Sequence, residues 1–198
     1  MAHRVCPLWV GYVLACPLRR ILQNPEKILA PYIKEGMKVL DVGCAMGFFG
    51  LPLAQMVGPD GKVVCVDVQE KMIQSLKKRA KKAGLSDRIE TRICLSDSLD
   101  LNDLNEAIDF ALASAVVHEV PDASGFFSEL YQALKQAGKI LVLEPKGHVS
   151  KSDFEKTVCA AQKNGFLVVG NPEIRGSRAV LLKKDIQEII GTIGCIPR

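Results

Sequence analysis

Aromatic residues are scarce in this chain: they make up 6% of its 198 residues, with a single tryptophan. A surface that stacks nucleic-acid bases needs several such rings, so that class of partner is disfavoured. Charge is not strongly one-sided either. The net value is +4, and much of the excess sits in Lys77, Lys78, Arg79, Lys81 and Lys82, which read together as one solvated helix face rather than a nucleic-acid patch. No apolar run reaches the roughly 20 residues needed to span a bilayer. There is no Cys-x-x-Cys pair, and the seven cysteines are an odd number. Cys65 and Cys94 lie in apolar runs, which predicts core thiols in a reducing compartment, the cytoplasm, rather than a disulfide framework. Repeats and low-complexity segments are also missing.

The first residues need separate treatment. His3 and Arg4 precede an apolar run over residues 8–15, and Val13-Leu14-Ala15-Cys16 resembles a lipoprotein signal-cleavage box. The run is short, Pro7 stands before it, and Pro17-Leu18-Arg19-Arg20 leads directly onward, so residues 1–24 are expected to be a structural lead-in. Trp9 and Tyr12 lie on it.

The stretch over residues 38–50, KVLDVGCAMGFFG, organises the rest. It reads as a short apolar strand, an acid (Asp41), a turn of small residues and an apolar helix. That order aims the first backbone N–H groups of a helix at whatever lies above the turn, and the absence of Cβ at Gly43 and Gly47 lets a ligand approach the chain. A dinucleotide fingerprint requires glycine at the first, third and sixth places. Counted from Gly43, the third is Ala45 and the sixth is Phe48. A pattern of one acid followed by glycines at alternate positions is met by Asp41, Gly43 and Gly47, with Ala45 the one departure.

Downstream, apolar runs alternate with amphipathic ones. Strands are expected near residues 38–42, 62–66, 89–94, 108–117 and 139–143, and the near-continuous apolarity of several suits parallel strands buried on both faces. Helices are expected over 48–57 and 70–83, from Asp122 to a stop at Gly138, and from a Ser152/Glu155 capping box to Gly165. A shorter helix opens at Asn24-Pro25 and meets Pro31. Two last strands, 166–169 and 179–182, are joined closely enough to pair antiparallel. The whole is a doubly wound α/β fold with a mostly parallel seven-stranded sheet and an antiparallel terminal hairpin strand, spanning residues 25–184. A tail over 185–198 carries Ile186, Ile189 and Ile190 and is expected to be a short helix.

Ligands of such sheets bind beyond the carboxyl ends of the strands. The residues there are the 41–47 turn, Asp67, the 96–98 loop, the 115–119 stretch and the 144–148 loop. Asp67 lies roughly 20 residues past Gly47, the separation that one intervening βαβ unit imposes on a ribose-binding acid.

On these residues the chain resembles the class I S-adenosylmethionine-dependent methyltransferases, most closely the ubiquinone/menaquinone C-methyltransferase group, over about residues 26–182. The resemblance implies a Rossmann-like methyltransferase fold, S-adenosylmethionine as cofactor, S-adenosylhomocysteine as product and a small-molecule acceptor. It implies that Asp41, Gly43, Cys44, Ala45 and Gly47 hold the amino-acid end. Asp67, with Val68, would hold the ribose, Asp97, with Ser98, would meet the adenine, and Ala115 would floor the pocket. Residues 1–24 would cover the site. Ala45 stands where the family has glycine, so Ala45→Gly is expected to tighten the cofactor or leave it unchanged, at a small stability cost from the freer unfolded chain. Proton handling, where the acceptor needs it, falls to His118, Glu119, Glu144 or His148. Two histidines and two carboxylates could also take a metal, but their spacing matches no local ligand signature, so none is expected. Two alternatives remain: a nicotinamide-dependent oxidoreductase, disfavoured by Ala45 and Phe48, and a non-catalytic partner-binding protein on the same fold, favoured by Ala45.

Overall fold

The computed structural model describes residues 23–185. The lead-in before residue 23 and the tail helix expected at Ile186, Ile189 and Ile190 lie outside the described residues. Helix α1 (Pro25–Leu29) is capped by Asn24, whose side chain accepts the Lys27 N–H, with Pro25 in the first turn. It stops at Leu29: Ala30 keeps helical backbone and its N–H still reaches the Glu26 carbonyl, but Pro31 has no N–H to continue the ladder. Strand β1 (Lys38–Val42), helix α2 (Gly50–Met56), strand β2 (Lys62–Asp67), helix α3 (Glu70–Lys82) and strands β3 (Ile89–Ile93) and β4 (Ile108–Ser114) follow. Then come helix α4 (Ala123–Ala133), strand β5 (Leu134–Pro145), helix α5 (Lys151–Lys163) and strands β6 (Phe166–Gly170) and β7 (Ser177–Lys184).

The seven strands form one sheet in the order β3-β2-β1-β4-β5-β7-β6. All neighbours are parallel except β7, which is antiparallel to both β5 and β6. One face buries Leu29, Leu53, Ile73 and Leu76 from α1, α2 and α3. The other buries Phe126, Phe127 and Leu130 of α4 and Ala161 of α5. Strand β1 pairs with β2 on one side and β4 on the other, so the connections diverge there, and a crevice opens above the carboxyl ends.

Several boundaries differ from the sequence reading. Helix α2 begins at Gly50 rather than residue 48, and Phe48 and Phe49 stand ahead of it, buried edge to face with ring centres 5.0 Å apart. Strand β4 ends at Ser114, where Ala115 (φ 55°) turns the chain into a 3-10 turn, Val117–Glu119. Helix α4 gives way directly to β5 at Leu134, not after Gly138. Leu134 is fully buried and pairs with Ile108, and the polar residues that follow are absorbed in an irregularity of register. The cap of α5 is Ser150 rather than Ser152. Ser150 is extended and its hydroxyl accepts the Asp153 N–H, whereas Ser152 is already inside the helix.

Candidate active site

A cavity of about 920 Å³ lies over the carboxyl ends of β1 to β5, within the usual size of a small-molecule site. Its floor at β1 and β2 is acidic. Asp41 is 2% exposed, and its Oδ2 is a buried side-chain oxygen with no hydrogen-bond partner among the described residues. Burial, with the Asp67 charge adding to it, pushes the Asp41 carboxyl up to about 8. Asp67 is buried too, but its two oxygens accept the N–H groups of Ala45, at 2.9 Å, and Gln69, at 2.8 Å. Burial raises its pKa, and the two backbone donors oppose the rise.

The turn between β1 and α2 is held by these contacts. Gly43 and Cys44 donate to the Val66 carbonyl, so the turn is fastened to the end of β2. Gly43 (φ 68°), Ala45 (φ 46°) and Gly47 (φ 81°) all take left-handed backbone. Ala45 thus adopts the conformation for which glycine is preferred, at a cost of about 1–2 kcal/mol. This reverses the expectation that Ala45→Gly costs stability: relief of that strain offsets or exceeds the unfolded-chain entropy of about 0.4–1 kcal/mol. The glycines also have a packing reason beyond ligand approach. A Cβ on Gly43 would stand 2.8 Å from Val116 Cβ, and one on Gly47 would run into the Leu76 side chain. Gly43, Cys44 and Ala45 line the cavity, whereas Gly47 shapes the turn from beneath. Burial holds the Cys44 thiol well above its ordinary range, so it serves as packing rather than as a nucleophile.

Val68, Asp97 and Ser98 line the cavity beyond β2 and β3, and Val68 and Asp97 are exposed. At the β4–β5 end, Ala115 N–H donates to the Leu143 carbonyl at 2.7 Å, which closes the floor there. Glu144 does not reach the cavity as the sequence reading had it. It is fully buried, accepts the Val117 N–H through Oε1 at 2.8 Å, and faces His118 Nδ1 through Oε2 at 2.5 Å. His118 is therefore the exposed partner of a buried carboxylate. Its pKa is raised by the Glu144 hydrogen bond, with burial opposing. Nε2 is the ring nitrogen left for the cavity, 4.0 Å from Glu119 Oε1. His148 is exposed, also lines the cavity, and stands edge-on to His118 with ring centres 6.3 Å apart.

The sequence reading missed several cavity residues. Gln23 is tied to Ser177 Oγ at 2.8 Å, and Gly176 and Ser177 bring the β6–β7 connection to the rim. Phe126 and Glu129 come from α4. No local pattern marks these positions, because each reaches the site through tertiary packing. Among the described residues, no cluster of three or more His, Cys, Asp or Glu side chains is arranged to hold a metal ion.

Strand order, the turn after β1, and acids at the ends of β1 and β2 together define a class I S-adenosylmethionine-dependent methyltransferase architecture. The chain belongs to the methyltransferase domain family, whose profile matches residues 33–190. It is 30% identical over 112 residues to a demethylmenaquinone methyltransferase of Lactobacillus johnsonii, covering 57% of this chain and 45% of that protein. It is 29% identical over 140 residues to a ubiquinone biosynthesis O-methyltransferase of Bradyrhizobium diazoefficiens, covering 71% of this chain and 51% of that one. The chain thus spans about half the length of these relatives. The crystal structure of a SAM-dependent methyltransferase from Aquifex aeolicus superposes with a TM-score of 0.80 at 27% identity, covering 91% of this chain and 100% of that one. This family membership removes the nicotinamide oxidoreductase alternative.

Proposed function

We propose that the chain moves the methyl group of S-adenosylmethionine to a small molecule whose accepting atom arrives carrying a proton. The observation that carries this reading is the Glu144–His118 pair: a fully buried carboxylate sets one imidazole nitrogen and leaves the other at the cavity. The cavity fits the cofactor. A buried carboxyl with one unpartnered oxygen (Asp41 Oδ2), a carboxylate with two of its acceptor positions used (Asp67) and a tight left-handed turn suit a ligand with an ammonium, a ribose diol and a sulfonium. When bound, that cofactor supplies a methyl group already activated for displacement.

The chain's own residues then have these roles. Asp41 and the Gly43–Cys44–Ala45 turn, braced by Gly47, hold the amino-acid end. Asp67 accepts from the ribose hydroxyls beside Val68. Asp97 and Ser98 meet the adenine, and Ala115 floors the reacting centre. His118 Nε2 takes the acceptor's proton, and Glu144 holds the ring in the needed tautomer and stabilises the imidazolium. Glu119, near Nε2, adds to that stabilisation, and exposed His148 is placed to pass the proton to solvent. Water exclusion and alignment do the rest, since an in-line displacement depends mainly on positioning.

The proposed units are residues 25–184 as the transferase body, 1–24 as its cover and 185–198 as a tail. Gln23, at the rim, is where such a cover would join. Ala45 takes a glycine-like backbone angle, so the turn keeps its shape despite the methyl, and membership of the methyltransferase domain family weighs against a non-catalytic alternative. Among the described residues no helix is long and apolar enough to cross a membrane, and buried Cys44, Cys65 and Cys94 support a reducing, cytoplasmic setting.

Calorimetry with S-adenosylhomocysteine and with NAD tests the cofactor, and binding of NAD alone would overturn the reading. Labelled-methyl transfer to a panel of small hydroxyl, amine and quinol acceptors tests the chemistry. With any acceptor found, His118→Ala should lose about 10²–10⁴-fold in rate while homocysteine-nucleoside affinity stays nearly intact.

A further inference from the structure

The loop after β3 carries Asp97 and Ser98 at the cavity, and its shape is set partly by its own hydrogen bonds and partly by a neighbouring helix. Leu95 N–H donates to the Ser98 carbonyl at 3.0 Å, which closes a tight turn with Ser96 and Asp97 at its tip. Asp100, just beyond, sits in left-handed backbone (φ 52°), which aspartate tolerates better than most non-glycine residues. A further tether comes from 30 residues downstream. Glu129 on α4 accepts the Leu99 N–H with both carboxylate oxygens, at 3.1 and 3.0 Å, and its Oε2 accepts the Ser98 hydroxyl at 3.3 Å. Ser98 Oγ in turn accepts the Asp100 N–H at 3.2 Å. Glu129 itself is anchored by its helix, because neighbours Phe126, Phe127 and Leu130 are buried in the core. The base of the loop is packed into the core through Cys94 and Leu99, and one carboxylate adds a polar tether between its exposed tip and a rigid element whose Asp122 and Phe126 form another wall of the same cavity.

We infer that Glu129 is a positioning residue for nucleobase selection: it holds the 95–99 loop so that Asp97 meets the exocyclic amino group of an adenine. This inference rests on the proposed S-adenosylmethionine reading, and within it Asp97 discriminates only while Glu129 is in place. A carboxylate suits the position because two donors converge on it, the Leu99 N–H shared between both oxygens and the Ser98 hydroxyl on one. Glutamine retains one acceptor oxygen and turns an N–H₂ toward the same donors.

The test compares two ligands that differ at the base. S-adenosylhomocysteine offers an amino group at the six position, and S-inosylhomocysteine offers a carbonyl oxygen there. The full chain should prefer the adenine ligand by roughly tenfold or more, the worth of one hydrogen bond to a carboxylate. Glu129→Ala should weaken the adenine ligand by a similar factor and change the inosine ligand by no more than about twofold, so that the preference collapses as it does in Asp97→Ala. Glu129→Gln should fall between. The double variant Asp97→Ala/Glu129→Ala should be no worse than either single one, because both remove the same contact. Near-ultraviolet dichroism and the melting temperature establish that each variant is folded. Equal loss for both ligands would make Glu129 a structural support only, and unchanged preference would remove it from the site; either overturns the inference. A full chain that binds S-adenosylhomocysteine without preferring it to the inosine ligand overturns the inference alone. A full chain that binds neither overturns the cofactor reading beneath it.

Discussion

Asp41→Asn separates what the β1 acid does for the fold from what it does for a ligand. In the folded chain the Asp41 carboxyl titrates at about 8, against an ordinary value of 3.8, chiefly through burial and then through Asp67. The groups that face it are Asp67 and Cys65 on β2 and the Cys44 thiol of the turn, and none is a cation. A carboxyl whose folded pKa is raised binds its proton more tightly in the native state. Its contribution to stability is therefore fully present below pH 4 and is lost as pH rises toward 8. The loss is about 1.4 kcal/mol per pH unit, on the order of 4 kcal/mol by pH 7, which is a large part of a typical 5–15 kcal/mol stability. Asparagine keeps the shape and does not ionise. Urea unfolding of ligand-free protein at pH 5, 6, 7, 8 and 9 should show Asp41→Asn gaining on the parent through the window and levelling off above about pH 8. S-adenosylhomocysteine should reverse the order, because a cationic ammonium over Asp41 favours the ionised form, and the variant should bind it roughly tenfold or more weakly. A stability difference that is the same at pH 5 and pH 9 would refute the assignment of a neutral buried acid.

Asp67→Ala should weaken S-adenosylhomocysteine by about 1.5–3 kcal/mol, or roughly 10- to 150-fold in calorimetry, and should also loosen the turn by freeing the Ala45 N–H. Ala45→Gly should melt no lower than the parent, since the position is already left-handed, and should bind the cofactor equally or more tightly; a marked loss of binding would show that the turn depends on the alanine methyl. With a methyl acceptor in hand, the rate should rise with pH along a limb set by His118, whose pKa is raised above its ordinary 6.5 by Glu144. Glu144→Gln should move that limb to lower pH and reduce the plateau, and an unmoved limb would assign the titration to another group.

The legible parts of this molecule are those whose sequence signal and structural cause are the same local fact. A parallel strand covered on both faces must be apolar throughout, so Val63 to Val66 announce β2, and all four are fully buried. An acid that ends such a strand must emerge at the carboxyl edge, so Asp41 and Asp67 could be assigned to one site before any coordinates. The illegible parts are set by partners distant in sequence. Polar Lys135 and Gln136 look like a helix end, yet Leu134 beside them finds Ile108 across the sheet, and strand pairing overrides the local signal. The left-handed angle of Ala45 follows from backbone ties to Val66 and Asp67 rather than from its own preference. Glu144 illustrates the limit most sharply. Its place after β5 directed attention to the cavity, and its true position is beneath it, because the Val117 N–H and the His118 ring converge there and a buried carboxylate needs such donors. Proximity to a strand end thus selects candidates, whereas the hydrogen-bond partners decide which of them faces the ligand and which holds the one that does.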